Sequence, residues 1–271
     1  TWSPGSVFVE GQGFAILRSG DRYAGLECGA YGGGHGHPDR LNLILHGGGE
    51  YWLPDFGTGS YVSRDLFWYR STLAHNAPRL DGRSQPVGDA VCDNFEQQGA
   101  WGWARGRFGD LTRTVVSGPR YILDVVELAA TGNHVLELPL HLTGSTEVEP
   151  AGRWAAAEWT EEFLTGAERY VPDSARPIKL VSMGPSGARI SAWLDFPGDL
   201  FRAKAPGAPG STEPALFYWV RSQGGSSRIV TVLEPLTSEP TVTGVRTTDT
   251  AIEVSTGVGV ERHIATAEGW E

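Results

Sequence analysis

Short runs of β-branched and aromatic residues, separated by turn residues, recur along the chain. They return roughly every ten residues, which is the spacing of short strands joined by turns. With 37 glycines and 17 prolines between the runs, the pattern predicts an all-β fold, built as a large antiparallel β-sandwich or as stacked sheets. The clearest predicted strands are residues 13–18, 41–46, 121–126, 190–195 and 228–233.

Helical periodicity is weak. No segment keeps apolar residues at positions i, i+3, i+4 and i+7 over three turns, and the best helical candidate is residues 65–73. The interval 203–214 is rich in proline and glycine, and strand-like residues resume directly after it at Leu216. We therefore expect a long loop inside one domain, and a single domain over residues 1–271.

Composition narrows the class of protein and of partner. A hydrophobic fraction of 40% and ten tryptophans indicate a folded globular protein. The formal net charge of −10 argues against nucleic acid or an anionic membrane as a general partner. No apolar run is long enough to span a bilayer. The chain begins Thr-Trp-Ser-Pro, without a signal-like segment, so we expect a mature form or an excised fragment.

Cys28 and Cys92 are the only cysteines, and they do not define a disulfide framework. The sequence is compatible with a disulfide bridge between them and also with two separate buried thiols.

A glycine-rich segment with two histidines is the strongest sign of a functional site. It reads Gly-Gly-Gly-His-Gly-His-Pro-Asp at residues 32–39. On an extended strand, His35 and His37 would point to the same side. Asp55 lies among apolar residues, where a carboxylate needs a partner. Two imidazoles and a carboxylate can hold Zn²⁺ or a similar cation. We predict His37, Asp55 and His75 as metal ligands, with a hydrogen-bonded core cluster as the alternative.

The same segment permits a rival ligand set. His37 and Asp39, together with His75, match the His-x-Asp…His triad of non-haem Fe(II) oxygenases. Against this interpretation, Pro38 constrains the turn between the first two ligands, and no arginine-containing strand follows at a suitable distance. The other histidines are interpreted as structural, and His141 is the strongest functional candidate among them.

From Phe14 to Gly82, the sequence resembles the heparinase II/III-like polysaccharide lyases. The order and spacing of the matching pieces carry the resemblance: residues 17–21, 34–41, 55–61, 69–76 and 81–82, with weaker likeness at 113–115 and 121–126. Family members combine an N-terminal α/α toroid with a C-terminal stack of antiparallel sheets. The resemblance therefore implies that this chain is the β part, and that a toroid or self-association covers an exposed apolar face. It also favours a secreted or periplasmic location.

The resemblance also implies roles for individual residues. It places the metal on the same set, His37, Asp55 and His75, makes His35 the catalytic histidine, and makes Tyr61 the tyrosine that reaches substrate. In this family the principal tyrosine, and the group that neutralises the substrate carboxylate, come from the toroid. We therefore expect weak or no activity from the β part alone.

Further residues near the motif are candidates for substrate binding. Planar guanidinium groups suit carboxylate and sulfate, so Arg64 and Arg70 are candidates, with a solvated or salt-bridged role as the alternative. Tyr69 is a third candidate, with simple packing as the alternative. The leading interpretation is the C-terminal domain of a lyase that cleaves an acidic, uronic-acid-containing polysaccharide, such as heparan sulfate or alginate. A non-catalytic glycan-binding module and an Fe(II) oxygenase are the competitors.

Overall fold

Antiparallel strands make up most of the structure, a computed structural model that describes residues 5–174, 177–236, 239–266 and 269–270. The one α-helix in these ranges is α1 (Leu66–Tyr69), and short 3₁₀ turns cover Glu10–Gln12, Gly33–His35 and Thr72–Ala74. The strands of the described residues are β1 (Val7–Val9), β2 (Phe14–Ser19), β3 (Arg22–Glu27), β4 (Leu43–Gly47), β5 (Glu50–Leu53), β6 (Arg79–Leu80), β7 (Val91–Gln98), β8 (Trp101–Phe108), β9 (Leu111–Ser117), β10 (Ile122–Leu140), β11 (Ser145–Glu149), β12 (Gly152–Ala156), β13 (Thr165–Pro172), β14 (Ile178–Met183), β15 (Arg189–Asp195), β16 (Asp199–Ala205), β17 (Ala215–Leu236), β18 (Val242–Thr247), β19 (Ile252–Thr256) and β20 (Gly259–His263).

The strands form three antiparallel sheets. Sheet A has the order β1-β2-β3-β4-β5, and sheet C has the order β18-β19-β20. Sheet B contains twelve strands, with the main path β11-β14-β15-β17-β10-β9-β8-β7. Its two longest strands, β10 and β17, pair with each other and change their outer neighbours part-way along. The first half of β17 pairs with β16, and its second half pairs with β15.

Sheet B is the middle layer, and sheets A and C pack on its opposite faces. Alternation along β10 shows this directly, because successive side chains point to opposite faces of a strand. Ile122 and Val126 lie in the core shared with sheet A, whereas Leu123 and Val125 lie in the core shared with sheet C. Stacked antiparallel sheets in an all-β chain are what the sequence predicted.

The predicted strands are confirmed, and two smaller predictions need correction. The helix predicted at residues 65–73 is one turn, α1, anchored by the buried rings of Trp68 and Tyr69. The chain then continues as a separate 3₁₀ turn. The predicted loop at 203–214 begins later, because β16 extends to Ala205. No helix in the described part of the chain has both the length and the apolar character needed to cross a bilayer.

A buried ion pair connects sheet B to the loops beneath sheet A. Arg113 on β9 and Asp124 on β10 are both fully buried, and two guanidinium nitrogens of Arg113 each lie 2.7 Å from a carboxylate oxygen of Asp124. The third nitrogen donates to the backbone carbonyls of Leu41, at 2.8 Å, and Asn76. A guanidinium group keeps its charge in proteins, so this pairing is required for burial.

Replacing Arg113 with methionine should destabilise the fold strongly, because it leaves a buried carboxylate without a partner. We expect a loss of about 3–5 kcal/mol in the free energy of unfolding, measured by urea denaturation. The double variant Arg113→Met/Asp124→Leu should recover part of this loss. It should not recover all of it, because the carbonyls of Leu41 and Asn76 still lose their donor.

Arg246→Met is the matched control. Arg246 is 73% exposed and pairs with Glu253 at 2.7 Å, so its removal should cost about 0–1 kcal/mol. Equal losses for the two arginine variants would show that the buried pair has no special structural role.

Candidate functional site

The glycine-rich segment folds as a turn, which corrects the prediction of an extended strand. Gly33–His35 forms a 3₁₀ turn, with Gly33 at φ +64°, a conformation that favours glycine. The hydroxyl of Tyr31 donates to the carbonyl of Gly36 at 2.9 Å and closes the turn. A Cβ on Gly36 would lie 2.8 Å from the nitrogen of Gly32. The glycines therefore allow a compact turn, and His35 and His37 reach different surroundings.

His75 is the buried anchor of the site. It follows the 3₁₀ turn Thr72–Ala74, and 1% of its surface is exposed. Its Nε2 lies 3.0 Å from the carbonyl oxygen of Tyr69, and its Nδ1 lies 2.9 Å from Oδ2 of Asp55. Asp55 also accepts hydrogen bonds from the Asn42 amide and from the backbone N–H of Gly57, both at 2.6 Å. The residues predicted as second and third ligands are thus in direct contact.

His37 lies beside His75, and Asp39 joins them. The ring centroids of His37 and His75 are 5.4 Å apart. Potential donor atoms of His37, Asp39 and His75 all lie within 4.8 Å of one another. One oxygen of Asp39 accepts from the Arg40 guanidinium at 2.6 Å. The described geometry therefore offers two carboxylates to a cation, Asp55 as predicted and Asp39 from the rival ligand set.

The protonation of His75 provides a test of whether these residues fit a cation. The Tyr69 carbonyl can only accept a hydrogen bond, so Nε2 must carry a proton. In neutral His75, Nδ1 would then present a lone pair to a carboxylate oxygen of Asp55, which is unfavourable without a positive group between them. Either a second proton or a metal ion satisfies this contact. An imidazole whose other N–H is fixed by a carbonyl is a common arrangement for metal-binding histidines. The residues fit a divalent cation.

The pKa values of the three central groups follow from the same contacts. Burial alone would lower the pKa of His75, but the hydrogen bond and charge of Asp55 outweigh it and raise the pKa above its ordinary value. Burial would likewise raise the pKa of Asp55, but His75 and the Gly57 N–H hold it below its ordinary value. Partial burial, and then the charge of His75, lower the pKa of His37. At neutral pH, His37 is therefore neutral and can act as a ligand.

His35 and Tyr61 form an exposed pair at the surface of the site. Nδ1 of His35 lies 2.9 Å from the Tyr61 hydroxyl, and the two rings meet edge to face. Tyr61 is 59% exposed, and His35 is exposed as well. His35 is not among the three residues whose potential donor atoms group together. The structure therefore brings the two predicted catalytic residues together, outside that group.

The three predicted substrate-binding residues have different surroundings. Tyr69 is buried, and its hydroxyl donates to the Gly207 carbonyl at 2.7 Å, which favours the packing alternative over substrate binding. Arg64 is exposed and pairs with Glu162 at 2.5 Å. Arg70 is exposed, and its guanidinium group makes no hydrogen bond or ion pair to any residue in the described ranges. The positive charge of Arg70 helps to lower the pKa of His37.

Sequence reasoning missed the amide side chains that position the site. Besides Asn42, the amide nitrogen of Asn76 donates to the Pro54 carbonyl at 3.0 Å, and its oxygen accepts from the backbone N–H of His141 at 2.8 Å. A polar residue inside the apolar run 41–46 was a signal for Asn42. His141 is buried beneath the site with a pKa lowered to about 4 by burial, and its ring stacks on Phe217. It therefore has a structural role.

Comparison with known proteins supports the resemblance seen in the sequence. Residues 3–120 match the family model described as Heparinase II/III-like, C-terminal. This first part of the chain is similar to the heparinase II/III-like family. This match contains the whole segment that carried the resemblance in the sequence, so the recognition is confirmed.

Similar proteins are polysaccharide lyases of greater length. An alginate lyase of Stenotrophomonas maltophilia (strain K279a) is 25% identical over 242 residues, which cover 77% of this chain and 29% of that protein. The solved heparan sulfate lyase from Pedobacter heparinus matches with a TM-score of 0.72 and 14% identity, over 97% of this chain and 43% of that one. A heparinase III structure matches with a TM-score of 0.70 and 14% identity, over 96% and 43%. The chain spans less than half the length of each, and the two structures establish the shared fold.

The contact between His75 and Asp55 predicts how stability depends on pH in protein freed of metal by a chelator. Because the pKa of His75 is raised in the folded state, its protonated form stabilises the fold, and this stabilisation is complete below about pH 6.5. It is lost as the pH rises through the folded-state pKa. The lowered pKa of Asp55 contributes stability that is lost only in acid. The free energy of unfolding should therefore fall as the pH rises above neutral.

Asp55→Asn should flatten this dependence, because it removes the charge that holds the proton on His75. Urea denaturation at a series of pH values measures the effect. Asp81→Asn is the control, since the exposed Asp81 pairs at 2.9 Å with the partly exposed His134, where solvent screens the interaction. An unchanged pH dependence in Asp55→Asn would contradict the assignment.

Proposed function

We propose that this chain is the C-terminal β domain of a lyase that cleaves a uronic-acid-containing polysaccharide by β-elimination, and that it forms one wall of the cleft. The observation that carries the proposal is the exposed hydrogen bond between His35 and Tyr61. The family supports it, since similar proteins include an alginate lyase and heparan sulfate lyases, whose named substrates are acidic glycans.

The His35–Tyr61 pair has the groups that elimination requires. Cleavage of a 4-linked uronide removes the C5 proton and expels O4, so one proton must be accepted and one returned. A neutral His35 can take the hydroxyl proton of Tyr61 while the tyrosine oxygen accepts the C5 proton. The same hydroxyl can then protonate the departing O4. The pair therefore moves protons between the substrate and the imidazole ring.

Arg70 is suited to the substrate carboxylate. The C5 proton is weakly acidic, and elimination requires the adjacent carboxylate to be neutralised by charge or hydrogen bonds. Arg70 is exposed, has no ionic partner in the part of the chain described, and acts electrostatically on His37. Arg64 has its charge matched by Glu162. We therefore assign carboxylate or sulfate binding to Arg70 first.

We further propose that the buried centre holds a divalent cation, with Zn²⁺ as the first candidate. His37 and His75 would supply nitrogen ligands, and Asp55 or Asp39 would supply oxygen. When bound, the cation would place a positive charge beside Nδ1 of His75 and the carboxylate, in the role that a proton otherwise has. It would also hold separate loops together. Its place beneath the exposed pair leaves His35 free for substrate.

The other wall of the cleft would come from the helical part of a longer protein. The segment around Tyr61 carries exposed apolar side chains, with Val62 97% and Phe67 68% exposed. Exposed apolar groups of this kind mark interaction surfaces when they are contiguous. We propose that an α/α toroid covers this segment and contributes the remaining catalytic groups.

Two other functions make different predictions. A non-catalytic glycan-binding module would use Arg70 and the exposed pair without elimination, which is compatible with a chain that forms only one wall. An Fe(II) oxygenase would use His37, Asp39 and His75, the set that the donor-atom geometry groups. The match to the heparinase II/III-like family model favours the lyase over both.

His35→Ala in the full-length protein should lower turnover by roughly 10²–10⁴ through loss of proton transfer, and it should leave the fold and the metal content unchanged. The assay follows the ultraviolet absorbance of the C4–C5 double bond, with alginate and heparan sulfate as separate substrates. His134→Ala is the matched control, because this partly exposed histidine pairs with Asp81 instead. Full activity in His35→Ala would refute the role, and binding of glycan without any elimination would favour the binding module.

Metal content should depend on His75. Metal analysis of purified protein should find about one divalent ion per chain, and His75→Ala should lower both this content and the melting temperature, because ligand binding and folding are coupled. Asp55→Asn and Asp39→Asn compared side by side identify the carboxylate ligand. Bound zinc that is lost only in Asp55→Asn would support Asp55 as the carboxylate ligand, as expected for the lyase. Bound iron that is lost only in Asp39→Asn would support Asp39 as the ligand, as expected for the oxygenase.

A further inference from the structure

The two cysteines lie where sheet A meets sheet B. Cys28 directly follows β3, and Cys92 is the second residue of β7. Both are free thiols, Cys28 buried and Cys92 partly exposed. The flanking backbones are joined by a hydrogen bond from the Ala90 N–H to the Gly29 carbonyl, at 2.9 Å. The approach of the two cysteines is therefore fixed by neighbouring backbone contacts.

The absence of a side chain at Gly106 leaves space for the two cysteine side chains to approach each other. Gly106 on β8 is the cross-strand partner of Cys92. A Cβ on Gly106 would lie only 2.9 Å from the Cβ of Cys28, so Cys28 fills the space beside the strand position opposite Cys92. The Cys28 thiol donates to the Leu26 carbonyl at 3.7 Å, and the Cys92 thiol donates to the Asn94 carbonyl at 3.5 Å. Interaction between the two thiols raises the pKa of Cys28 and lowers the pKa of Cys92. Cysteines at neighbouring positions of this kind satisfy the first requirement for a disulfide.

We propose that Cys28 and Cys92 form a disulfide that joins sheet A to sheet B at the base of the glycine-rich segment. The oxidant is a disulfide, either of an oxidoreductase or of a small thiol such as glutathione. The thiolate of the more exposed Cys92 attacks it, forms a mixed disulfide and releases one thiol. The thiolate of Cys28 then displaces the second thiol. Two protein thiols lose their protons and two electrons, and the incoming disulfide becomes two thiols.

The bridge would constrain the segment that carries the candidate site. The segment between the two cysteines contains every candidate site residue: His35, His37, Asp39, Asp55, Tyr61, Arg64, Tyr69, Arg70 and His75. Gly29, next to Cys28, also accepts a hydrogen bond from Arg40 at 3.2 Å. The bridge therefore closes one covalent loop around the site and fixes the start of the turn that carries His35.

Oxidation of the purified chain with oxidised glutathione tests the proposal. Mass spectrometry after thiol alkylation under denaturing conditions should show a chain 2 Da lighter, with no alkylated cysteine and with Cys28 and Cys92 in one cross-linked peptide. The melting temperature of the oxidised chain should lie roughly 5–10 °C above that of the reduced chain. Cys28→Ser and Cys92→Ser are the matched controls, and neither should gain stability on oxidation.

Three results would overturn the proposal. They are two thiols that stay open to alkylation, a glutathione adduct on Cys92 that never resolves, and cross-linking only between chains. Amide hydrogen exchange tests the effect on the site, since oxidation should slow exchange several-fold across residues 29–37. A bridge that forms without slower exchange there would refute the proposed constraint on the turn.

Discussion

The candidate site depends on one charge that has no access to solvent. Arg113 is fully buried, and Asp124 neutralises it from the neighbouring strand. Its remaining donors satisfy two backbone carbonyls, those of Leu41 and Asn76. The first lies on the chain leaving the glycine-rich turn, and the second directly follows His75. A buried guanidinium group needs a hydrogen-bond acceptor for its N–H groups. Because Arg113 lies on sheet B, this sheet determines where both histidine-bearing segments lie.

The site has a rigid inner half and an open outer half. In the inner half, Asp55 and His75 contact each other, and Asn76 ties their segments together through the carbonyl of Pro54. In the outer half, His35 and Tyr61 lie on turns, are exposed, and form a hydrogen bond with each other. Under the proposed function, the inner half would supply pre-organised groups and the outer half an accessible pair that transfers protons, in a cleft whose second wall comes from the helical part of a longer protein.

The sequence could predict what depends on local pattern and on chemical type. Strand periodicity predicted the β-architecture, and residue types suited to metal binding pointed to His37, Asp55 and His75 as candidates. It could not predict conformation within the glycine-rich segment, since glycine allows a turn as readily as a strand. Nor could it separate Tyr69 from Tyr61, because the burial of Tyr69 depends on a carbonyl far along the chain. Such contacts belong to tertiary structure and leave no local pattern.

Strand β17 has a consequence for how this domain can change during evolution. Its first half pairs with β16, its second half pairs with β15, and β10 pairs with both halves. Because side chains alternate between faces, inserting one residue midway would exchange all later residues that face sheet A with those that face sheet C. Both cores would then receive the wrong side chains. Length variation among descendants of this chain is therefore confined to loops, while the long central strands must keep their residue count.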